Sequence, residues 1–327
     1  MAVVDRRTFL AVATTGVLAT ALVSEAQRIR KPRRIGILSP FSSAADPFSR
    51  TFRQSLRELG YVEGADVTFE YRSSEGMTDR LTDLAKELVR LEIEVMVTTT
   101  SPAVQAARQS SDTIPIVVGG VDDAVGQGFV ASLARPGGNV TGTSWLNTEL
   151  SAKRLELLKE TLPGVSRVAI LREAVGGATS LRAAEAAART LGVRLQIIEI
   201  RDLSEFESAF AAIARARSGA VLVIQGPMMT SAGMEIVGLT RKARLPASFS
   251  ERRFATAGGL MSYGPKLEDL YRKAAAYTDR ILKGAKPGDL PVEQPTRFEL
   301  VINLKTARAL GLTVPQSVLL RADSLLQ

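Results

Sequence analysis

The residues able to do chemistry fall in short polar steps that follow apolar runs. Ser39 and Phe41 follow one such run, Thr99, Thr100 and Ser101 a second, and Asp122 and Asp123 a third. Arg172 and Glu173 follow another, then Gln225, then Ser250 to Arg252. Hydroxyls and free backbone N–H groups at a helix start suit an anionic ligand group. An aspartate would suit a ligand ammonium, and a guanidinium fork at Arg172 or Arg252 grips a carboxylate better than lysine can. Each position also has a plain reading. Ser101, directly before Pro102, is a good helix N-cap, and Asp122 or Asp123 could cap beside Ala124. Trp145 is the one tryptophan; it either covers an apolar ligand or packs between domains.

What the chain lacks is equally informative. It has no His and no Cys among 327 residues. Thiolate nucleophiles, disulfides, Cys/His zinc sites and the Ser–His–Asp relay are therefore excluded. Gly36 is not followed by a dinucleotide-type glycine turn, and no GxxxxGK[ST] phosphate loop appears. Ser262 sits in LMSYG, not GxSxG, so there is no nucleophile elbow. Adjacent Asp122 and Asp123 point opposite ways on an extended chain and make a poor chelate. No catalytic residue, metal or cofactor is expected. The net charge of +8 is spread among acids on helical stretches, so nucleic acid is not an expected partner.

Residues 1–26 read as an export signal. Arg6 and Arg7 precede a moderately apolar run from Phe9 to Val23, and small Ser24 and Ala26 suit a signal peptidase. Arg6-Arg7-Thr8-Phe9-Leu10 looks like a twin-arginine signal. Residues 27–33 form a basic leader, and the mature chain is expected in the periplasm.

Beyond the leader, strands and helices alternate. Residues 34–39, 67–71, 95–98, 115–118 and 140–143 read as strands, with helical spacing between most of them. The alternation restarts at Arg167 and runs to about residue 250. This is an α/β chain with parallel sheets covered on both faces. Two doubly wound domains are expected, joined by a hinge of several crossovers. The first takes 34–145 plus about 251–290; the second takes 146–250 plus part of about 291–327. In open parallel sheets, ligands sit outside the carboxyl ends of the strands. The expected ligand-binding set is therefore Ser39, Phe41, Thr100, Ser101, Asp123, Trp145, Arg172, Glu173, Gln225 and Arg252. An exported, motif-poor double α/β chain fits ligand capture better than catalysis.

Several stretches resemble the ABC transporter substrate-binding family of the TrpX-like type, within the type I periplasmic binding fold. They include RIGILSP (34–40), FRQSLRELGYVEGADVTFEYRSSEG (52–76), VASLARPGGNVTG (130–142) and KRLELLKETLPGVSRVAIL (153–171). AGGLMSYGP (257–265), the long block 271–315 and LLRAD (319–323) extend the likeness over essentially the whole mature chain. The resemblance implies two domains joined by three crossovers, closing on a small ligand such as an amino acid or an aromatic or organic acid. It also implies an inner-membrane permease with its ATPase as partner, and a monomer. Asp123 matches the Asp of the family's DPVG segment, but Ala124 replaces its Pro. Arg172-Glu173 stands where members often have Asn-Pro. Both departures lie in loops expected to face the ligand. Two rival readings remain open: a binding protein that signals to a membrane receptor, and an exported hydrolase working through carboxylates alone. A DNA-binding regulator of this fold would need a helix-turn-helix where the export signal stands.

Overall fold

The computed structural model describes residues 31–41 and 46–327. The export segment and all of the basic leader before Lys31 lie outside the described residues. Lys31 and Pro32 lead into the first strand without regular structure.

Two sheets organise the chain. The first holds β1 (Arg33–Ser39), β2 (Val67–Ser73), β3 (Val95–Thr98), β4 (Ile116–Val121) and β5 (Val140–Ser144) in the order β2-β1-β3-β4-β5, all parallel. The second holds β6 (Arg167–Glu173), β7 (Arg194–Ile200), β8 (Ala220–Val223), β9 (Ala247–Phe249), β10 (Met261–Pro265), β11 (Phe298–Asn303) and β12 (Ser324–Leu326). Its order is β12-β11-β10-β9-β8-β6-β7, parallel except for the antiparallel pair β10–β11.

The strands read as unbroken apolar runs because both faces are covered. Alternate residues go to opposite layers. Ile35, Ile37, Val95 and Val97 face the layer that holds Phe48 and Phe52 of the helix Pro47–Glu58. Leu38 and Met96 face the opposite layer, against Leu84 and Leu88 of the helix Leu81–Arg90. The second sheet repeats the pattern: Val168 and Ile170 pack on one side, Ala169 and Leu171 on the other.

One assignment changes. Residues 251–265, expected in the first domain, belong with the second sheet, where β10 pairs with β9 and β11. Leu260 and Met261 are drawn into the second core, and Gly264 lets the backbone pass the Ser250 carbonyl, where a Cβ would lie 2.1 Å away. Only then does the chain return: Leu270, Tyr271 and Ala274 of the helix Leu267–Leu282 pack on the first sheet, beside Phe48.

The chain thus crosses between lobes three times, after Ser144, at Lys266 and between Glu293 and Arg297. The first and third passages are laced together. Ser144 N donates to the Glu293 carbonyl (2.8 Å), and Glu293 N donates to the Gly142 carbonyl (2.9 Å). Lys273 and Tyr277 hold the Glu293 carboxylate from the packed helix, and the Lys273 ammonium keeps it below its ordinary pKa.

Gly142 is the tight point of this junction. Its φ is +134°, and a Cβ there would stand 2.2 Å from the Val118 carbonyl oxygen. Gly142→Ala should therefore destabilise the protein by about 2 kcal/mol or more. Urea denaturation would read this as a lower midpoint, and an unshifted midpoint would refute the account of the junction.

Candidate functional site

The carboxyl ends of β3 and β4 in the first lobe face those of β6 and β8 in the second. Between them lies a cavity of about 510 Å³.

The wall of the first lobe is built under strain. Thr100 has φ +68° and ψ 148°, a conformation that a β-branched residue avoids. It is held there by its own N–H, which donates to the Gly120 carbonyl (3.0 Å), and by its carbonyl, which accepts from Val104 N (3.1 Å). The bend swings the start of the helix Ser101–Ser110 into the cavity. That helix has no side-chain cap and no acid in its first turn, so its free N–H groups and positive dipole end stay available. Thr100 Oγ1 is buried with no protein partner. Ser101 Oγ accepts from Gln127 Nε2 at 2.9 Å. Trp145 forms an apolar panel, only 5% exposed, with its indole N–H donating to the Gly119 carbonyl (3.3 Å). Gly120 is obligatory beneath it, since a Cβ would fall 1.5 Å from the indole nitrogen.

The second lobe supplies an opposing helix start. Gly176 and Gly177, both at positive φ, lead into the helix Ala178–Leu191, which again lacks a side-chain cap and an early acid. Arg172 donates to Glu199 (2.6 Å) and to the Gly176 carbonyl, while its buried Nε has no partner. Glu173 Oε1 accepts from the backbone N–H groups of Met228 and Met229, capping the short helix Pro227–Ser231. Burial pushes the Glu173 carboxyl above its ordinary pKa, and those two N–H bonds oppose the shift. Thr230 Oγ1, on the same short helix, is buried and unpartnered.

Behind the cavity runs a buried polar chain that spans the hinge. The Asp122 carboxylate accepts from both the backbone N–H (3.0 Å) and the Nδ2 (3.2 Å) of Asn147. Asn147 Oδ1 accepts from Arg154 Nη2 (3.0 Å), and Arg154 Nε donates to the Tyr263 carbonyl in β10 (2.6 Å). Arg154 is 1% exposed, and burial pulls its pKa down to about 10 against the pull of Asp122 and Glu251. Glu251 is buried as well. Its Oε1 accepts from Gln225 Nε2 (2.8 Å) and its Oε2 pairs with Arg253 (2.7 Å).

Of the residues expected from sequence, Thr100, Ser101, Asp123, Trp145, Arg172, Glu173 and Gln225 line the cavity. Ser39, Phe41 and Arg252 do not. The loop after β1 closes on itself: Ser39 Oγ bonds the Phe41 backbone, Ser73 Oγ donates to the Phe41 carbonyl, and Ser74 N donates to the Ser39 carbonyl. Arg252 turns away to Glu299 and Ser324 on β11 and β12. Asp123 lies exposed at the cavity mouth, its Oδ1 capping Gly126 N (2.9 Å); the hinge-bound acid is Asp122. Sequence reading missed Asn147, Arg154 and Thr230. Arg154 did leave a signal, since it falls on the apolar stripe of Leu150, Leu157 and Leu158. Among the described residues, no group of three or more acids could hold a metal.

Residues 35–326 match the family described as ABC transporter substrate binding protein. The chain belongs to this family. The family is one of extracytoplasmic solute-binding proteins, and among the described residues no helix is long and apolar enough to cross a membrane. A tyrosine-binding protein of Clostridioides difficile is 25% identical over 288 residues, spanning 86% of this chain and 82% of that protein. An ABC domain from Streptococcus pneumonia, solved in complex with L-Trp, superposes with a TM-score of 0.83 at 27% identity, covering 90% of this chain and all of that one. A conserved domain protein from Vibrio cholerae does so with a TM-score of 0.83 at 28% identity, over the same shares.

Two outcomes follow from the site's packing. Trp145 is the single tryptophan, so the protein's indole emission reports this one panel. Gly120→Ala should expel the indole and shift its emission to the red; unchanged emission would contradict the contact. The second concerns pH. Burial raises the carboxyl of Glu251 above its ordinary 4.5, so the folded protein holds that proton to higher pH than the unfolded chain does. Its contribution to stability is full below about pH 4.5 and is lost as pH rises through the folded value. In urea titrations from pH 4 to 7, Glu251→Gln should flatten this decline, and a parallel decline would rule the assignment out.

Proposed function

We propose that this protein is the extracytoplasmic capture component of an ABC importer, closing its two lobes on a small organic ligand that carries a carboxylate on an apolar body. One observation carries the reading. Two uncapped helix starts, one from each lobe, meet at a single cavity beside the unpartnered Thr100 Oγ1, Arg172 Nε and Thr230 Oγ1. Buried polar atoms without partners are uncommon in native proteins, and here three residues that carry them line one space of ligand size. Backbone N–H groups and a hydroxyl suit a carboxylate, while Trp145, Phe129 and Ile224 offer apolar cover. Tyrosine and L-Trp, named for two of the similar proteins, both fit this description.

The mechanism needs no bond to be made or broken. A ligand that touches both walls binds the closed arrangement better than the open one and shifts the population toward it. The acids around the cavity support capture over hydrolysis: Asp122 is held by Asn147, Glu251 by Gln225 and Arg253, and Glu173 caps a helix. Each of these three carboxylates is already engaged by a structural partner. In this reading the signal at 1–26 exports the chain by the twin-arginine route to the periplasm. It works there as a monomer, and its closed faces are read by a permease with its ATPase.

Calorimetry with L-tryptophan, L-tyrosine, benzoate and 4-hydroxybenzoate tests the reading, with Trp145 emission as a second readout. Thr100→Val keeps the shape but removes the hydroxyl. It should weaken the best ligand about tenfold while leaving the unliganded stability equal or higher, because an unpaired buried hydroxyl is lost. Equal affinity in the variant would remove Thr100 from the site, and silence from all four compounds would overturn the carboxylate reading.

A further inference from the structure

The cavity walls are electrically uneven. The starts of the helices Ser101–Ser110 and Ala178–Leu191 make two regions positive. A third region carries the opposite sign, and it centres on Glu173.

Each acid at the cavity can be followed oxygen by oxygen. Both Asp122 oxygens accept from Asn147. Glu251, behind the wall, is filled by Gln225 and Arg253. Asp123 stands exposed at the mouth, with Oδ1 on Gly126. Glu173 differs from Asp122 and Glu251 in keeping an oxygen open, and from the exposed Asp123, whose Oδ2 is also open, in being sheltered within the wall. A single oxygen, Oε1, takes both backbone N–H groups of Met228 and Met229, and Oε2 receives no donor among the described residues. The neighbouring Arg172 favours the ionised form through space but makes no hydrogen bond to it, because its guanidinium turns to Glu199 and the Gly176 carbonyl. The side chain is also pinned. The two N–H bonds hold the carboxylate over Gly226, where a Cβ would stand 2.5 Å from Oε1. The result is a preorganised, half-buried anion with one open oxygen in the cavity wall, beside the unpartnered hydroxyl of Thr230.

We infer that Glu173 is a specificity-determining residue whose Oε2 receives a protonated nitrogen of the ligand, so that the cavity selects amino-carboxylates over carboxylates lacking that nitrogen. This rests on the capture reading above and narrows it. A half-buried carboxylate oxygen with no donor is costly to leave so when a ligand closes over it. An ammonium offsets that cost with a charge-assisted hydrogen bond, whereas a deaminated analogue seals the oxygen away unpaired. Discrimination thus comes as much from rejecting the wrong ligand as from attracting the right one.

The test compares matched probes by calorimetry: L-tryptophan against indole-3-propionate, and L-tyrosine against 3-(4-hydroxyphenyl)propionate. The wild-type protein should prefer the amino acid of the tighter pair by about 30-fold or more. Glu173→Gln keeps the size and the acceptor for the two N–H groups but drops the charge. It should shrink that ratio to about threefold or less, mainly by weakening the amino acid, with the unfolding midpoint confirming that the variant folds. Equal wild-type affinity within both pairs would overturn the role of Glu173, and so would a ratio unchanged in Glu173→Gln; capture of carboxylates would survive either result. Absence of binding by all four probes would overturn both. The wild-type comparison stands whether or not the variant folds.

Discussion

Everything at the cleft hangs on one buried charge. Arg154 lies at the base of the hinge, almost wholly out of water, and reaches Asn147 on one side and the Tyr263 carbonyl on the other. Through Asn147 it is tied to Asp122 of the first lobe, while Glu251 of the second lobe lies within its field. A buried guanidinium of this kind adds little net stability, because desolvation opposes the ion-pair attraction. Removing it is another matter, since the buried Asp122 would lose the charge that offsets it and Glu251 would be left to Arg253 and Gln225. The arrangement fixes where the two lobes meet, so the strand ends that carry Thr100 and Glu173 face a common space.

Around that anchor the cavity departs from what a stable fold alone would choose. Thr100 sits in a backbone region costly for its type, two helix starts go uncapped, and polar atoms of Thr100, Arg172 and Thr230 lack partners. Open helix starts also occur away from the cleft, as at Leu81–Arg90 and Leu267–Leu282, whereas Asp46 caps Pro47–Glu58 and Asn303 caps Leu304–Ala309. What marks the cleft is coincidence: the strained Thr100, two open helix starts and three residues with unpartnered polar atoms all border one cavity.

The architecture was legible because its signals are periodic. Continuous apolar strands such as Val95–Thr98 and Ala220–Val223 mark doubly covered sheets, and polar residues at their ends mark the cleft. What was not legible depended on partners far away in sequence. Met261–Pro265 reads like any short strand; only its neighbours Phe249 and Ile302 place it in the second sheet. Arg252 follows a strand as Arg172 does, yet Glu299 and Ser324 claim it. Sequence likeness singles out Asp123 of the two adjacent acids; the nearness of Asn147 makes Asp122 the one bound to the hinge. Arg154 was hidden by its charge, although its place on an apolar stripe marked it as internal. Thr230 left no trace at all.

The lacing of the first and third passages has one more consequence. Two chain segments joined by the Ser144–Glu293 and Glu293–Gly142 hydrogen bonds form a narrow ribbon. A ribbon flexes across its thin direction but resists shear and torsion. With the Lys266 passage as a second support, such a ribbon would favour folding of the lobes toward each other over swivelling. Each docking event would then bring the same pair of outer rims into the same register, giving whatever inspects them a single shape to recognise.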